Sequence, residues 1–270
     1  MAQACPSPAK PGVDFGCSFL KLDQDLHLAD WFTPFNFASL NRGDNDVGSS
    51  GPVLVPNTPW LIGGGKEGKL YVLDTTGPHT MGEFHPTTDQ VVQSFQATGL
   101  PRPRPGGLLE APPQGTHHIH GSPVYWQGPK GAWVYIWPEN DWLRAYHLKG
   151  NKFDTHPISL SSVTDPRGMP GGILSLSADG SKAGTGIVWA THSDVAEDAD
   201  HGATQHIAPG ILRAFDASDL SRELWNSNLD KPRDDLGNFA KFSPPIVANG
   251  KVFVATFSGH LNVYGLLNAP

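Results

Sequence analysis

Ser243-Pro244-Pro245-Ile246-Val247-Ala248-Asn249-Gly250-Lys251-Val252-Phe253-Val254-Ala255-Thr256 sets a small-Pro start, a short strand, a turn and an apolar strand in a row. A further strand, Leu261-Asn262-Val263-Tyr264-Gly265, closes the unit after a gap. Short β-branched and aromatic runs cut by Gly, Pro and Asn are the signature of sheet rather than helix.

Moving outward from this stretch, three earlier segments repeat the order. Gly51-Pro52-Val53-Leu54-Val55 leads to Trp60-Leu61-Ile62-Gly63-Gly64 and Leu70-Tyr71-Val72-Leu73-Asp74. Ser122-Pro123-Val124-Tyr125-Trp126 leads to Val134-Tyr135-Ile136-Trp137 and Leu143-Arg144-Ala145-Tyr146-His147. Gly172-Ile173-Leu174-Ser175-Leu176 leads to Ile187-Val188-Trp189-Ala190-Thr191 and Leu212-Arg213-Ala214-Phe215-Asp216. The closing strands align on Leu70, Leu143, Leu212 and Leu261, separated by 73, 69 and 49 residues, so the units share a core and differ in their loops. Period-2 alternation puts one set of side chains on each face, and near-continuous apolar middle strands require both faces to be covered. Radially stacked small antiparallel sheets, a β-propeller of about four blades, meet that demand. A β-sandwich also has short strands and frequent turns, but it does not call for the recurring small-Pro start.

Composition narrows the function classes. Of 270 residues, 31 are Gly and 25 Pro, against 38% apolar, which suits strands and turns around a core. The formal net charge is −7 and no basic run exceeds two residues, so a phosphate-tracking surface is not expected. Arg102-Pro103-Arg104 reads as a solvated loop, and Gly63-Gly64-Gly65-Lys66 as a turn without nucleotide-loop spacing. No apolar stretch approaches the ~18 residues of a membrane span. Met1 to Gly12 lacks the order of a signal peptide, yet the Lys-poor, Gly/Pro/Trp-rich chain suits a periplasmic or secreted setting. Cys5 and Cys17 are read as a disulfide pair or as two idle thiols.

At these repeats the chain resembles the quinoprotein-like propellers, whose blades carry pyrroloquinoline quinone repeats. Their pattern of small-Pro, Gly-x-Val-Tyr-Val, then Leu-x-Ala-Leu-Asp and Trp is matched by residues 243–256 and by Leu212-Arg213-Ala214-Phe215-Asp216-Ala217-Ser218 with Leu224-Trp225. Phe19-Leu20-Lys21-Leu22-Asp23, followed by Trp31, resembles the end of one more blade. The resemblance covers a propeller domain over 15–267 behind an N-terminal extension over 1–14. It implies six to eight blades, so the visible units are expected to form a half-ring of a larger propeller, a homodimer that completes one, or a self-closed ring. It also implies two functional models: oxidoreductases that use the quinone with Ca²⁺ on alcohols or sugars, and lipoprotein propellers that assist outer-membrane protein assembly without a cofactor. The enzymes hold their quinone under adjacent cysteines, which this chain lacks. Ser218-Asp219-Leu220 also stands where their docking repeats carry Gly.

Three clusters are candidates for chemistry, and no catalytic residue is assigned. In Thr116-His117-His118-Ile119-His120, alternation puts His118 and His120 on one side of an extended segment, and His117, His118 and His120 are the candidate metal ligands. Glu139, Asn140, Asp141 and Trp142 are the candidate cofactor-binding set, offering oxygen ligands and an aromatic neighbour. The insertion Ser193 to Pro209, rooted at His192, adds Asp198, Asp200 and His201 as candidate metal ligands. Ca²⁺ or another divalent metal ranks ahead of the quinone as cofactor. The expected function is a platform for a ligand or protein partner, its working surface at one end of the ring. The alternatives are the quinone-dependent oxidoreductase and a metal-dependent enzyme using residues 117–120.

Overall fold

Asn249 and Gly250, at φ 50° and 70°, form the two-residue turn that sets Ala248 opposite Lys251. Positive φ at both central positions is what a tight hairpin with the right twist requires, and Asn-Gly supplies it at little cost. The computed structural model, which describes residues 15–195 and 202–267, repeats such antiparallel meanders along the chain.

The first blade comprises Val53–Leu54, Trp60–Gly64, Lys69–Asp74 and Gln93–Gln96. The second comprises Val124–Gly128, Gly131–Ile136 and Trp142–Lys149, the last pairing with both Lys152–Phe153 and Ser159–Thr164. The third comprises Ile173–Ser177, Ile187–Ser193, Gly210–Asp216 and Asp219–Asn226. The fourth has three strands among the described residues, Ile246–Ala248, Lys251–Ala255 and Leu261–Gly265. Ahead of them, Phe19–Leu22 pairs with Leu28–Phe32 as a two-stranded sheet, where the sequence resembles a blade's end. The protein is an all-β, propeller-type stack; among the described residues its α-helices are the short Phe37–Arg42 and Lys231–Asp234.

Hydrophobic clusters fill the spaces between consecutive sheets. Leu70 and Val72 pack with Val134, Ile136 and Tyr146 of the second blade. Leu143 and Ala145 pack with Leu174, Val188 and Phe215 of the third, and Leu212 with Val252 and Val254 of the fourth. Phe19 and Phe32 pack on Tyr71 and Leu73 of the first. In the closing strands of the first three blades, then, the first and third residues face the following blade and the fourth faces the preceding one, as the two-residue period dictates. Burying each such Leu contributes about 2 kcal/mol. Two phenols tie the stack: Tyr135 Oη donates to Ala217 O at 2.7 Å, and Tyr146 Oη to Ala97 O at 2.5 Å. Burial pushes both phenols above their ordinary range.

The stack is open. Among the described residues no hydrophobic cluster joins the fourth blade to the first blade or to the N-terminal sheet. A self-closed ring is therefore not what the core describes. Arg102 also departs from a solvated loop residue. It lies 4.4 Å over the Trp142 ring and shares Glu110 with Arg104, which holds the Glu110 carboxyl down to about 2.

The Cys5–Cys17 pairing involves Cys5, which lies outside the described residues; Cys17 is buried and disulfide-bonded.

Candidate functional site

Up-and-down order places the segment entering each first strand, and the loop joining second to third strands, at the same end of every blade. Residues 116–121, 137–141, 165–172, 193–195 and 202–209 therefore meet at one end of the stack. Backbone hydrogen bonds stitch them together: Glu139 N–H to His118 O at 3.1 Å, Gly172 N–H to Trp137 O at 3.0 Å, and Asp165 N–H to Asp141 O at 3.0 Å.

The extended entry segment has two sides. Ile119 points into the core between the first two blades, and Ser49 Oγ fixes its carbonyl at 2.7 Å. His118 and His120 point the other way, towards Glu139 on the second blade's loop. His120 Nε2 lies 2.8 Å from Glu139 Oε1, and His118 Nδ1 lies 3.4 Å from Oε2. Thr116 Oγ1 donates to the same Oε2 at 2.6 Å. Asn140, at φ 51°, turns its side chain back to donate to Thr116 O at 2.7 Å, which holds the two loops in register.

Burial by itself pushes the Glu139 carboxyl up, but hydrogen bonds from His120 and Thr116 outweigh it and leave the group below its ordinary range. Burial lowers His118, and Glu139 only partly offsets this, so its imidazole favours the neutral form. Glu139 is 3% exposed and His118 22%, so the cluster is closed on one side and reachable on the other.

A second polar group adjoins the first. Arg213 Nε donates to His192 Nε2 at 2.8 Å, which leaves the imidazole proton on Nδ1, donated to Ser193 O at 2.6 Å. Asp165 Oδ1 lies 3.6 Å from that Nδ1, and the Trp137 ring lies 4.9 Å from the imidazole. Gly172 allows this packing, because a Cβ there would come within 2.6 Å of the Trp137 ring. Full burial drives His192 down to about 3, helped by the Arg213 charge. Burial, and next the charge of Glu139, pushes Asp165 well above the usual carboxyl range.

The candidate residues thus sort differently from their sequence grouping. His118 and His120 converge as the alternation requires, and Glu139 joins them. His117 turns away, its Nδ1 3.3 Å from the Glu139 carbonyl. Asp141 binds Arg144 through both oxygens, at 2.6 and 3.0 Å, and accepts further bonds from the Gly99 and Trp142 amides. Trp142 is buried in a blade, leaving no exposed aromatic face for a cofactor. With Asn140 bonded to Thr116 and Gly168, the set Glu139, Asn140, Asp141 and Trp142 does not converge on one point and does not fit a calcium–quinone site. Asp198, Asp200 and His201 lie outside the described residues.

Asp165, Arg213 and the role of Glu139 were missed because no local motif joins residues from three loops. The one sequence signal is the Gly/Pro-rich run over 165–172, which marks a backbone bent to bring side chains close. Asp23, Asp25 and His27 also lie together, but exposed in a turn where Asp23 caps the amides of the other two at 2.8 and 2.9 Å.

No family model matches the chain, and no curated protein matches it. Among solved structures it is similar to BamB from Moraxella catarrhalis, at 12% identity and a TM-score of 0.41, over 94% of this chain and 68% of that one. Likeness of that degree transfers neither a function nor a site residue.

Proposed function

We propose that the chain is a rigid binding platform whose open blade face receives a protein partner, and that a second copy of the chain is the partner that fits. One observation carries this reading. Leu70, Leu143 and Leu212, first in their closing strands, are fully buried by the blade that follows, whereas Leu261 at the same position is 64% exposed. Val263, the third residue of that strand, is 50% exposed, and Ile246 beside it is exposed as well. At the other end Leu20 and Leu22, on the face turned from the first blade, are 43% and 48% exposed.

The two surfaces are the two halves of the blade–blade interface that recurs inside the molecule. A head-to-tail copy brings Leu261 and Val263 of one chain against Leu20 and Leu22 of the other. Two such copies close into a ring, in which both junctions are equivalent. A dimer leaves the loop end of the stack free for ligand or further protein binding.

Sedimentation equilibrium of the wild-type chain beside a Leu261→Lys/Val263→Lys variant tests the reading. Dimeric wild type and a folded, monomeric variant are expected. Equal masses for the two proteins would remove the second copy as the occupant of this face.

A further inference from the structure

We propose that His118, His120 and Glu139 bind a divalent transition-metal ion of zinc's class through two imidazole nitrogens and one carboxylate oxygen, with the remaining position open to solvent on the His118 side. This inference is independent of the partner reading, since the ligands lie on the segment entering the second blade and on a loop within it, away from Leu20, Leu22, Leu261 and Val263.

Geometry is the first argument. One donor atom from each residue lies within 4.8 Å of the others; His120 Nε2 is 2.8 Å from Glu139 Oε1 and His118 Nδ1 is 3.4 Å from its other oxygen, Oε2. An ion bound at ~2.0–2.2 Å from each ligand needs donors roughly 3–4 Å apart, a spacing that rotation of side chains already gathered within 4.8 Å can reach. Both histidines leave an extended backbone on the same side, and the Glu139 N–H bond to His118 O fixes the third ligand's segment against theirs.

Charge is the second. Glu139 is a buried anion, and no Lys or Arg among the described residues pairs with it; its ion-pair partners are the two imidazoles. Asp141, two residues on and equally buried, shows the ordinary solution for such a group, a bidentate guanidinium. Around Glu139 the nitrogens of two imidazoles stand where that cation would be. The carboxylate brings a negative charge into a buried site with no Lys or Arg partner among the described residues, and a divalent ion there would offset it.

Outer contacts are the third. Thr116 Oγ1 donates to Glu139 Oε2, and Asn140 in turn holds the Thr116 carbonyl, so the carboxylate is oriented before any ion arrives. The donor set, N/N/O with a vacancy towards water, suits zinc or cobalt better than calcium, which takes six or more oxygens.

The test uses the whole chain, stripped with a chelator and titrated with Zn²⁺ by calorimetry and with Co²⁺ by visible absorbance. One equivalent per chain is expected, with a Co²⁺ d–d spectrum of four- or five-coordinate intensity. His118→Ala, whose site is partly exposed, and Glu139→Gln are expected to weaken binding more than the roughly 10–100-fold that loss of an outer contact costs, whereas Thr116→Val should fall inside that range. His117→Ala should bind as the wild type does. Circular dichroism confirms the fold of each variant. If folded wild type takes up no stoichiometric ion at micromolar Zn²⁺, or if folded His118→Ala binds as tightly as wild type, the proposal is overturned.

Discussion

The third and fourth blades carry the same closing-strand grammar and meet opposite fates. Leu212-Arg213-Ala214-Phe215 and Leu261-Asn262-Val263-Tyr264 alternate alike, and in both the fourth residue faces the preceding blade. Leu212 is wholly buried because the fourth blade covers it, and Leu261 is exposed because nothing among the described residues follows. The difference teaches that the unit is written to be sandwiched. Its apolar faces are specified residue by residue, while their burial is decided by the neighbour. An apolar blade face left to water is a docking surface by the same logic that makes interior blades a core.

Substitutions at matching positions sharpen that contrast. The largest effect is expected at the second position of the closing strand, where Arg144 pairs with Asp141 in full burial and also donates to Leu100 O. Arg144→Ala leaves the buried carboxylate without its cation, holding only the Gly99 and Trp142 amides, and should cost ~3–5 kcal/mol in urea denaturation. At the matching place in the fourth blade, Asn262 donates neutral bonds to Leu236 O at 2.9 Å and, more weakly, to Tyr264 Oη at 3.5 Å, and their loss should cost ~1 kcal/mol. Equal costs would break the comparison.

Next come the Leu positions. Leu212→Ala is expected to cost ~2–5 kcal/mol through the cavity it leaves, and Leu261→Ala to stay within about 0.5 kcal/mol in the dissociated chain. Chemical denaturation under dissociating dilution separates the two.

A smaller contrast is one of pH, since the third blade buries a histidine and the fourth does not. His192 is depressed to about 3, so between its ordinary pKa near 6.5 and that value the unfolded chain takes a proton the folded chain refuses. Stability from this group is present above the unfolded pKa and is lost as pH falls. Asp165, facing the same imidazole, has a raised pKa, so its contribution is present in acid and lost as pH rises, which opposes the His192 slope. In an Asp165→Asn background, stability should fall by up to about 1.4 kcal/mol per pH unit below pH 6.5, and His192→Gln should remove that slope. Identical slopes with and without His192 would contradict its burial as a neutral group.

Much of this was legible in the sequence. The closing-strand Leu residues, with small-Pro starts in three of the units, locate the four blades, because alternation is a local property of the chain. The convergence of His118 and His120 followed from the same rule. Glu139 was read with Asn140 and Asp141 because the three are adjacent, yet the backbone turn at Asn140 sends Glu139 to the histidines and Asp141 to Arg144. A sequence shows neighbours along the chain, whereas the partner of a loop carboxylate is chosen by which loops share an end of the stack. Arg102 is a similar case: in a Pro/Gly loop it looked solvated, and only the fold lays Trp142 beneath it.

Small-angle X-ray scattering of the wild-type chain tests the central claim most directly, because it reports mass and shape together. A closed ring of twice the 29.0 kDa chain mass, with the pair-distance profile of a hollow disc, is the predicted result. A folded monomeric arc at every concentration, with Leu261 and Val263 left in water, would contradict it.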